Sequence, residues 1–394
     1  MNTFSVADIS APYAKPDGVY CLAHSVGPLC KSAKDDLNTQ FLTPWQALGG
    51  DAWPTWLEQI TRFNNELGIL LTADANDFCP QPSVSIAFSQ WLAAVSKNRP
   101  SKQRRVVLMH QDAFASLGFA VKGLCDVYDL ELRFVTSSAN DLDAWTSALA
   151  LPDVFACLVT HAHSNTGYLS DVEAILKIAR ANAVLGAVDI AQSVGIIPIS
   201  LSQWRADCVV GSCVKWLSGG PGAAFLYIPS EQANELMPEH LAWFSHENPF
   251  EFDIRHFSPA QGVMRFWGGT PSIAPYVMAA SAIHQHNRFG TAAFREHNLM
   301  LMHGFLSQYQ HEIPAHYQSL LKLGADASAI NFTSYKPKHS ATLCLPMPIS
   351  QATKIKSTFS GHNIKFDERN GVVRLSFSAI NNQTDVAKAL ACYS

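Results

Sequence analysis

Charge is scarce in this sequence. Lysine and arginine number 28 and aspartate and glutamate 32, so only 15% of the 394 residues are charged, with a net charge of −4. No basic tract stands out, which argues against nucleic acid or an anionic membrane as a partner. Long apolar runs are lacking as well: none reaches the roughly 18 residues that a membrane-spanning helix needs. The first residues, MNTFSVADIS, have no basic stretch followed by an apolar one, so no secretory leader is expected. The nine cysteines are an odd number and form no C-x-x-C pair. Neither a disulfide framework nor a zinc site is expected, and a reducing cytoplasm fits best. Internal repeats and low-complexity segments are absent too. What remains is 48% hydrophobic, a globular composition with enough chain for two domains or more.

The informative stretch is residues 184–228, VLGAVDIAQSVGIIPISLSQWRADCVVGSCVKWLSGGPGAAFLYI. Three short apolar runs lie in it, Val184–Val188, Cys208–Gly211 and Ala223–Ile228. Their lengths suit buried strands of a parallel sheet. Asp189 follows the first run, Lys215 follows the second, and the Gly-rich turn Gly219–Gly222 precedes the third. Ligands of open α/β sheets gather at the carboxyl ends of the strands. A carboxylate and an amine placed there, 26 residues apart, suit a cofactor with both an aldehyde and a basic ring nitrogen. Pyridoxal 5'-phosphate (PLP) is such a cofactor: its aldehyde forms a Schiff base with a lysine and its ring nitrogen pairs with an aspartate.

On these residues the chain resembles the class V aminotransferase superfamily, the fold-type I PLP enzymes that include kynureninases and cysteine desulfurases. Asp189-Ile-Ala-Gln192 resembles the family's D-x-A-Q/H motif, and Lys215-Trp-Leu-Ser-Gly-Gly-Pro-Gly resembles the kynureninase K-Y-L-N-G-G-P-G. The resemblance implies an α/β fold: a large domain with a mostly parallel seven-stranded sheet flanked by helices, and a smaller α+β domain at the C-terminus. It divides the chain into an N-terminal segment, 1–55, packing on the active-site mouth and the small domain, a PLP-binding domain, 56–284, and the small domain, 285–394.

Further motifs extend the resemblance along the chain. Tyr20–Pro28 is similar to the kynureninase Y-L-D-G-N-S-L-G, which puts His24 near substrate. Cys79-Pro-Gln-Pro-Ser-Val-Ser opens an apolar-periodic helix, and a helix start is a phosphate site. There Gln81, Ser83 and backbone N–H groups are expected to hold the cofactor's phosphate, with Ser212 and with Thr270, which in the family reaches across a dimer interface. Phe114 falls where kynureninases stack an aromatic ring on the cofactor. In His161-Ala-His-Ser-Asn-Thr-Gly, similar to the family's T-H-x-x-x-T-G turn, Asn165 would face the cofactor's phenolic oxygen or the substrate, and His163 the substrate. Gln192 would bond the phenolic oxygen. The H-x-H of His161 and His163 has no third ligand in view, so no metal is expected. Ser170 and Glu173 read as a capping box for the next helix. Pro249–Ile273 resembles bacterial kynureninases and brings Trp267 to the same mouth. In Asp367–Asn382, Arg374 matches the arginine that grips the substrate carboxylate through its bidentate fork.

The implied enzyme is a homodimer acting on an amino acid, with Lys215 as the base at the α-carbon and Asp189 charging the ring. Aminotransferase and lyase chemistry need only these shared parts. Kynureninase-like cleavage of a Cβ–Cγ bond is the alternative, but four of its marks are changed: Val214, Gln192, His163-Ser164 and Leu117 stand where kynureninases carry other residues. A non-catalytic PLP-binding protein is a further alternative. Cysteine desulfurase activity is not expected, because Ser360–Arg374 holds no cysteine.

Overall fold

The structure, a computed structural model, describes residues 5–323 and 335–393. Its centre is a seven-stranded sheet in the order β2-β8-β7-β6-β5-β3-β4. The small strand β1 (Val19–Tyr20) lies outside this sheet. The seven are β2 (Phe78–Gln81), β3 (Val106–His110), β4 (Glu131–Val135), β5 (Val154–Thr160), β6 (Leu185–Asp189), β7 (Cys208–Ser212) and β8 (Ala224–Tyr227). All seven residues of β5, VFACLVT, are buried. Such a continuous apolar run marks a strand covered on both faces, as parallel sheets require.

The pairs β4–β3, β3–β5, β5–β6 and β6–β7 are parallel. The third apolar run of the central stretch departs from the parallel expectation: β8 runs antiparallel to both β7 and β2. The turn Gly219–Gly222 and its flanks are too short for a helical crossover, so the chain comes straight back beside β7. Pro80 lies in β2, an edge strand, where a missing donor is tolerated.

Helices cover both faces. α1 (Trp53–Leu71), α2 (Val84–Lys97), α3 (Ala115–Tyr128) and α4 (Val172–Ala181) are amphipathic. In α4 the buried residues Val172, Ile175, Leu176 and Ala179 recur at i, i+3, i+4 and i+7. Its cap differs from the expected one. Asp171, not Ser170, accepts the Ala174 amide, while the Ser170 hydroxyl bonds the Thr160 carbonyl inside the fold. An aspartate one residue nearer the helix competes better for the cap. α5 (Ala274–Phe289) packs against α1, and its Tyr276 ring meets Phe63 at 5.1 Å between centroids.

A second apolar core gathers α6 (Thr291–Leu306) with β9 (Thr342–Pro346) and β12 (Val372–Ser376), and the polar strand β11 (Asp367–Arg369) pairs with β12 beside it. The three strands form an antiparallel sheet, β11-β12-β9. β1 joins this part of the molecule by pairing in parallel with β10 (Ile364–Lys365). The N-terminal residues then pass back over the large sheet. There the Gly27 amide donates to the Val214 carbonyl, and a Cβ on Gly27 would come within 2.1 Å of the Lys215 carbonyl oxygen. Only glycine permits that approach.

Two tests follow from this packing. Phe225 is fully buried and its ring stands over Gly211, where an added Cβ would come within 2.2 Å. Phe225→Ala should lower the unfolding free energy by about 3–5 kcal/mol, and Gly211→Ala by about 1–3 kcal/mol through overpacking, both measured by denaturant unfolding. The second test concerns pH. Burial lowers His24, His163 and His316 to about 4 and His161 and His286 to about 3. The unfolded chain takes up these protons near pH 6.5, whereas the folded chain does so only at about pH 3–4. Their contribution is therefore complete above about pH 6.5 and is lost as pH falls toward 4. Asp189 and Asp207, raised by burial, act in the opposite sense, but five protons outweigh two. The thermal midpoint should fall steadily between pH 7 and 4.5; a flat profile would show that these imidazoles are solvated.

Candidate active site

β5, β6 and β7 end side by side, and their last residues are Thr160, Asp189 and Ser212. The chain turns after Ser212 and presents Lys215. A cavity of about 320 Å³ opens at this edge. Of the residues expected at the cofactor, Ser83, Phe114, Asp189, Gln192, Ser212 and Lys215 all line it. Ser83 is the N-cap of α2, its hydroxyl accepting the Ile86 amide at 3.2 Å. Pro82, Ser83, Val84 and Ser85 form one wall, which places a helix start, the kind of element that binds anions, at the cavity. Phe114, 43% exposed, caps α3, and the Lys215 Nζ lies 5.7 Å from its ring centroid.

The two central charges are held away from their ordinary ionisation. Burial raises the Asp189 carboxyl, against the opposing pull of the Ala191 amide, 2.9 Å from its Oδ1, and of Lys215. Burial lowers the Lys215 ammonium; Asp189 opposes this, and Arg374 and Arg369 reinforce it. Each of the two thus feels the other's charge. A basic ring nitrogen set against Asp189 would be held protonated, and an aldehyde set against Lys215 would meet an amine that loses its proton readily.

Other expected residues lie elsewhere. Gln81 does not line the cavity. It is buried, with Nε2 donating to the Phe266 carbonyl at 2.9 Å and Oε1 accepting from Gln90 at 2.8 Å. His163 is turned inward, edge-on to His110 at 4.9 Å, with Nε2 3.1 Å from the Ser170 hydroxyl. Ser164, the next residue, takes the place on the cavity wall. Asn165 is half-buried beside it, and its Oδ1 has no hydrogen-bond partner among the described residues. Trp267 packs on Phe244 at 4.6 Å and lines a separate cavity against α1. Thr270 is exposed and is not among the residues that line the cavity.

Arg374 is 2% exposed and already engaged. It donates to the Ser164 carbonyl at 2.9 Å and pairs with Asp367 across the β11–β12 register. Its Nε has no partner among the described residues. His24 sits behind, its Nδ1 2.8 Å from the Ser376 hydroxyl and its Nε2 3.9 Å from Asp367. His24 and then Arg374 hold the Asp367 carboxyl down at about 2. So His24 and Arg374 meet through an aspartate that the motif reading passed over. Arg369, also passed over, shares the face of β11 with Asp367, two residues away, and its charge reaches Lys215. Leu117 and Val214, two of the departures from the kynureninase pattern, both line the cavity.

Kynureninase from Pseudomonas fluorescens is 26% identical over 332 residues, 80% of this chain and 77% of that one. An uncharacterised aminotransferase of Bacillus subtilis, YcbU, is 29% identical over 248 residues, 63% of this chain and 64% of its own length. Among solved structures, a cysteine desulfurase from Thermococcus onnurineus superposes with a TM-score of 0.82 at 16% identity, covering 99% and 98% of the two chains. A variant of the cystine C-S lyase C-DES with glycine covalently linked to its PLP cofactor does so at 0.79 and 17%, over 99% and 98%. At these identities the likeness is one of fold, the fold-type I architecture. Residues 88–389 match the family model for class V aminotransferases, and the chain belongs to that family of pyridoxal 5'-phosphate-dependent enzymes.

Proposed function

We propose that Lys215 carries the cofactor and that the protein acts on a free amino acid, by amino-group transfer or by lyase chemistry. The observation that carries this reading is the meeting of Lys215 and Asp189 in one cavity, each perturbed by the other. When bound, PLP supplies an aldehyde that takes up amines and a charged ring that accepts an electron pair. Asp189 would hold the ring nitrogen, Phe114 would pack on the ring and Gln192 would bond the phenolic oxygen, while Ser212, Ser83 and the start of α2 would hold the phosphate. With the cofactor bound, the Lys215 amine would be the group placed to take a proton from the substrate's α-carbon. Its lowered proton affinity suits that task near neutral pH. Arg374 receives the substrate carboxylate after parting from Asp367, with His24 keeping that aspartate in place.

Leu117 and Val214 make the cavity wall apolar where kynureninases differ. This supports transfer or lyase chemistry over hydrolysis of kynurenine, which stands as the second reading on the strength of the relatives. Sulfur chemistry belongs among the outcomes as well, given the desulfurase-like fold. The nearest thiol to Arg374 is Cys344, its partner in the β9–β12 register; burial pushes it up to about 12, so it is a thiol rather than a thiolate at neutral pH.

The reading includes a homodimer. The segment leading to Thr270 exposes Phe250, Phe252, Ile254 and Phe257, the last three at 74%, 99% and 42%, an apolar surface suited to a second copy. Thr270 would complete the partner's phosphate site. A smaller domain over 285–394 is supported by its separate core, and a cytoplasmic location by nine free cysteines. Among the described residues, no helix is long and apolar enough to cross a membrane.

The purified protein should be yellow, and Lys215→Ala should lose the visible band; an unchanged spectrum would refute Lys215. Amino acids, with L-kynurenine, L-cysteine and L-cystine included, should be screened for a spectral shift, with products identified by mass and sulfide assayed. At least one should shift the band. A yellow protein that responds to none would mark a non-catalytic binding protein.

A further inference from the structure

A second cavity, of about 330 Å³, lies between α1 and the 244–267 segment, and it shares no lining residue with the cavity of Lys215 and Asp189. Its walls are largely apolar: Leu57 and Ile60 come from α1, and Phe244, Met264 and Trp267 from the other segment. Two polar side chains set into these walls are each more than nine-tenths buried. Asn64, 9% exposed, uses its Nδ2 on the Phe78 carbonyl at 2.9 Å, and its Oδ1 has no hydrogen-bond partner among the described residues. His246, 8% exposed, accepts the Asn248 amide on Nδ1 at 3.0 Å, so the proton of the neutral ring sits on Nε2. That N–H donates to nothing among the described residues.

Buried amides and imidazoles with an unmade hydrogen bond are rare because their desolvation goes uncompensated. The bond to Phe78 accounts for one end of the Asn64 amide and leaves the other unexplained. Water satisfies such groups where it finds two to four polar partners, and most of this lining is aromatic or aliphatic. Small-molecule sites have the same build, an apolar cleft of about 300–1,000 Å³ with a few fixed polar groups. One acceptor and one donor together select a polar end that both gives and takes a hydrogen bond, as a carboxamide does. A carboxylate lacks the donor that Asn64 needs, and Glu247 on the exposed rim repels it. We propose that this cavity is a second small-molecule site, for a neutral compound with a carboxamide-type end on an aromatic or aliphatic body. The site stands apart from the cofactor cavity and does not depend on the reaction proposed above.

The experiment is a calorimetric titration of the full-length chain, saturated with PLP, with benzamide. Binding should saturate at one molecule per chain with a dissociation constant on the order of a millimolar, and the visible band should not move. N,N-dimethylbenzamide, which has lost the N–H donors, should bind about tenfold more weakly or worse. Thr61→Trp changes an exposed residue of the rim; its ring should fill the cavity and abolish binding at an unchanged melting temperature. Asn64→Leu should weaken benzamide about tenfold. Because that change also frees the Phe78 carbonyl, Thr61→Trp decides the matter if Asn64→Leu does not fold. No saturable binding would overturn the inference and leave the cavity to water or to a second copy of the chain. Equal affinity for the two benzamides, binding retained by Thr61→Trp, or a shifted visible band, which would put the probe in the cofactor cavity, would overturn it as well. A chain that takes up no PLP is titrated in the same way, so failure of the cofactor assignment leaves this test intact.

Discussion

Asp189 and Lys215 are buried together at the carboxyl edge of a sheet, and burial works against the charge of both. Desolvation of a carboxylate and an ammonium is tolerated where each finds an opposite charge or a hydrogen-bonded ligand. The Ala191 amide and the opposite partner offset only part of the cost. The surrounding walls offer polar groups: Ser83, Ser212, Gln192 and the Thr160 hydroxyl, which has no hydrogen-bond partner among the described residues. Such a site is organised for a ligand with a phosphate at one end and a basic ring nitrogen at the other. The strands serve it by ending in register, so that Thr160, Asp189 and Ser212 form one rim.

The second core contributes through a single hairpin. β11 and β12 set Asp367 opposite Arg374, and β12 also carries Ser376, which fixes His24. Because β1 pairs with β10, the N-terminal residues are drawn to the same place, and Gly27 locks them against the Lys215 turn. Arg374 is thus held by pieces of chain more than 300 residues apart. Its pairing with Asp367 keeps a buried guanidinium from standing unpaired.

Much of this could be read from the sequence. β5, β6 and β7 appear as apolar runs of strand length, and Asp189 and Lys215 stand out because they follow such runs. The Ser83 cap was visible from proline and serine before a periodic helix. Other features were not legible, for physical reasons. Apolar periodicity carries no strand direction, so the reversal of β8 is invisible until β7 is its neighbour. A motif gives a residue's position but not where its side chain points: Gln81 and His163 lie beside cavity residues in sequence and face inward in the fold. Thr160 reads as an ordinary β-former, since nothing local shows that its hydroxyl lacks a partner. The Asp367–Arg374 pair depends on hairpin register across the Asn370-Gly371 turn. Ser170 and Asp171 both suit an N-cap in sequence, and only the fold, which gives the Ala174 amide to Asp171, separates them.

The central assignment, one cofactor held between Asp189 and Lys215, is tested most directly by trapping the covalent bond. The protein as purified, saturated with PLP, is reduced with borohydride, digested, and its peptides are weighed. The expected result is one peptide, the one containing Lys215, heavier by a reduced phosphopyridoxyl group. A peptide map with no such addition, or with the addition on a different lysine, would contradict the assignment.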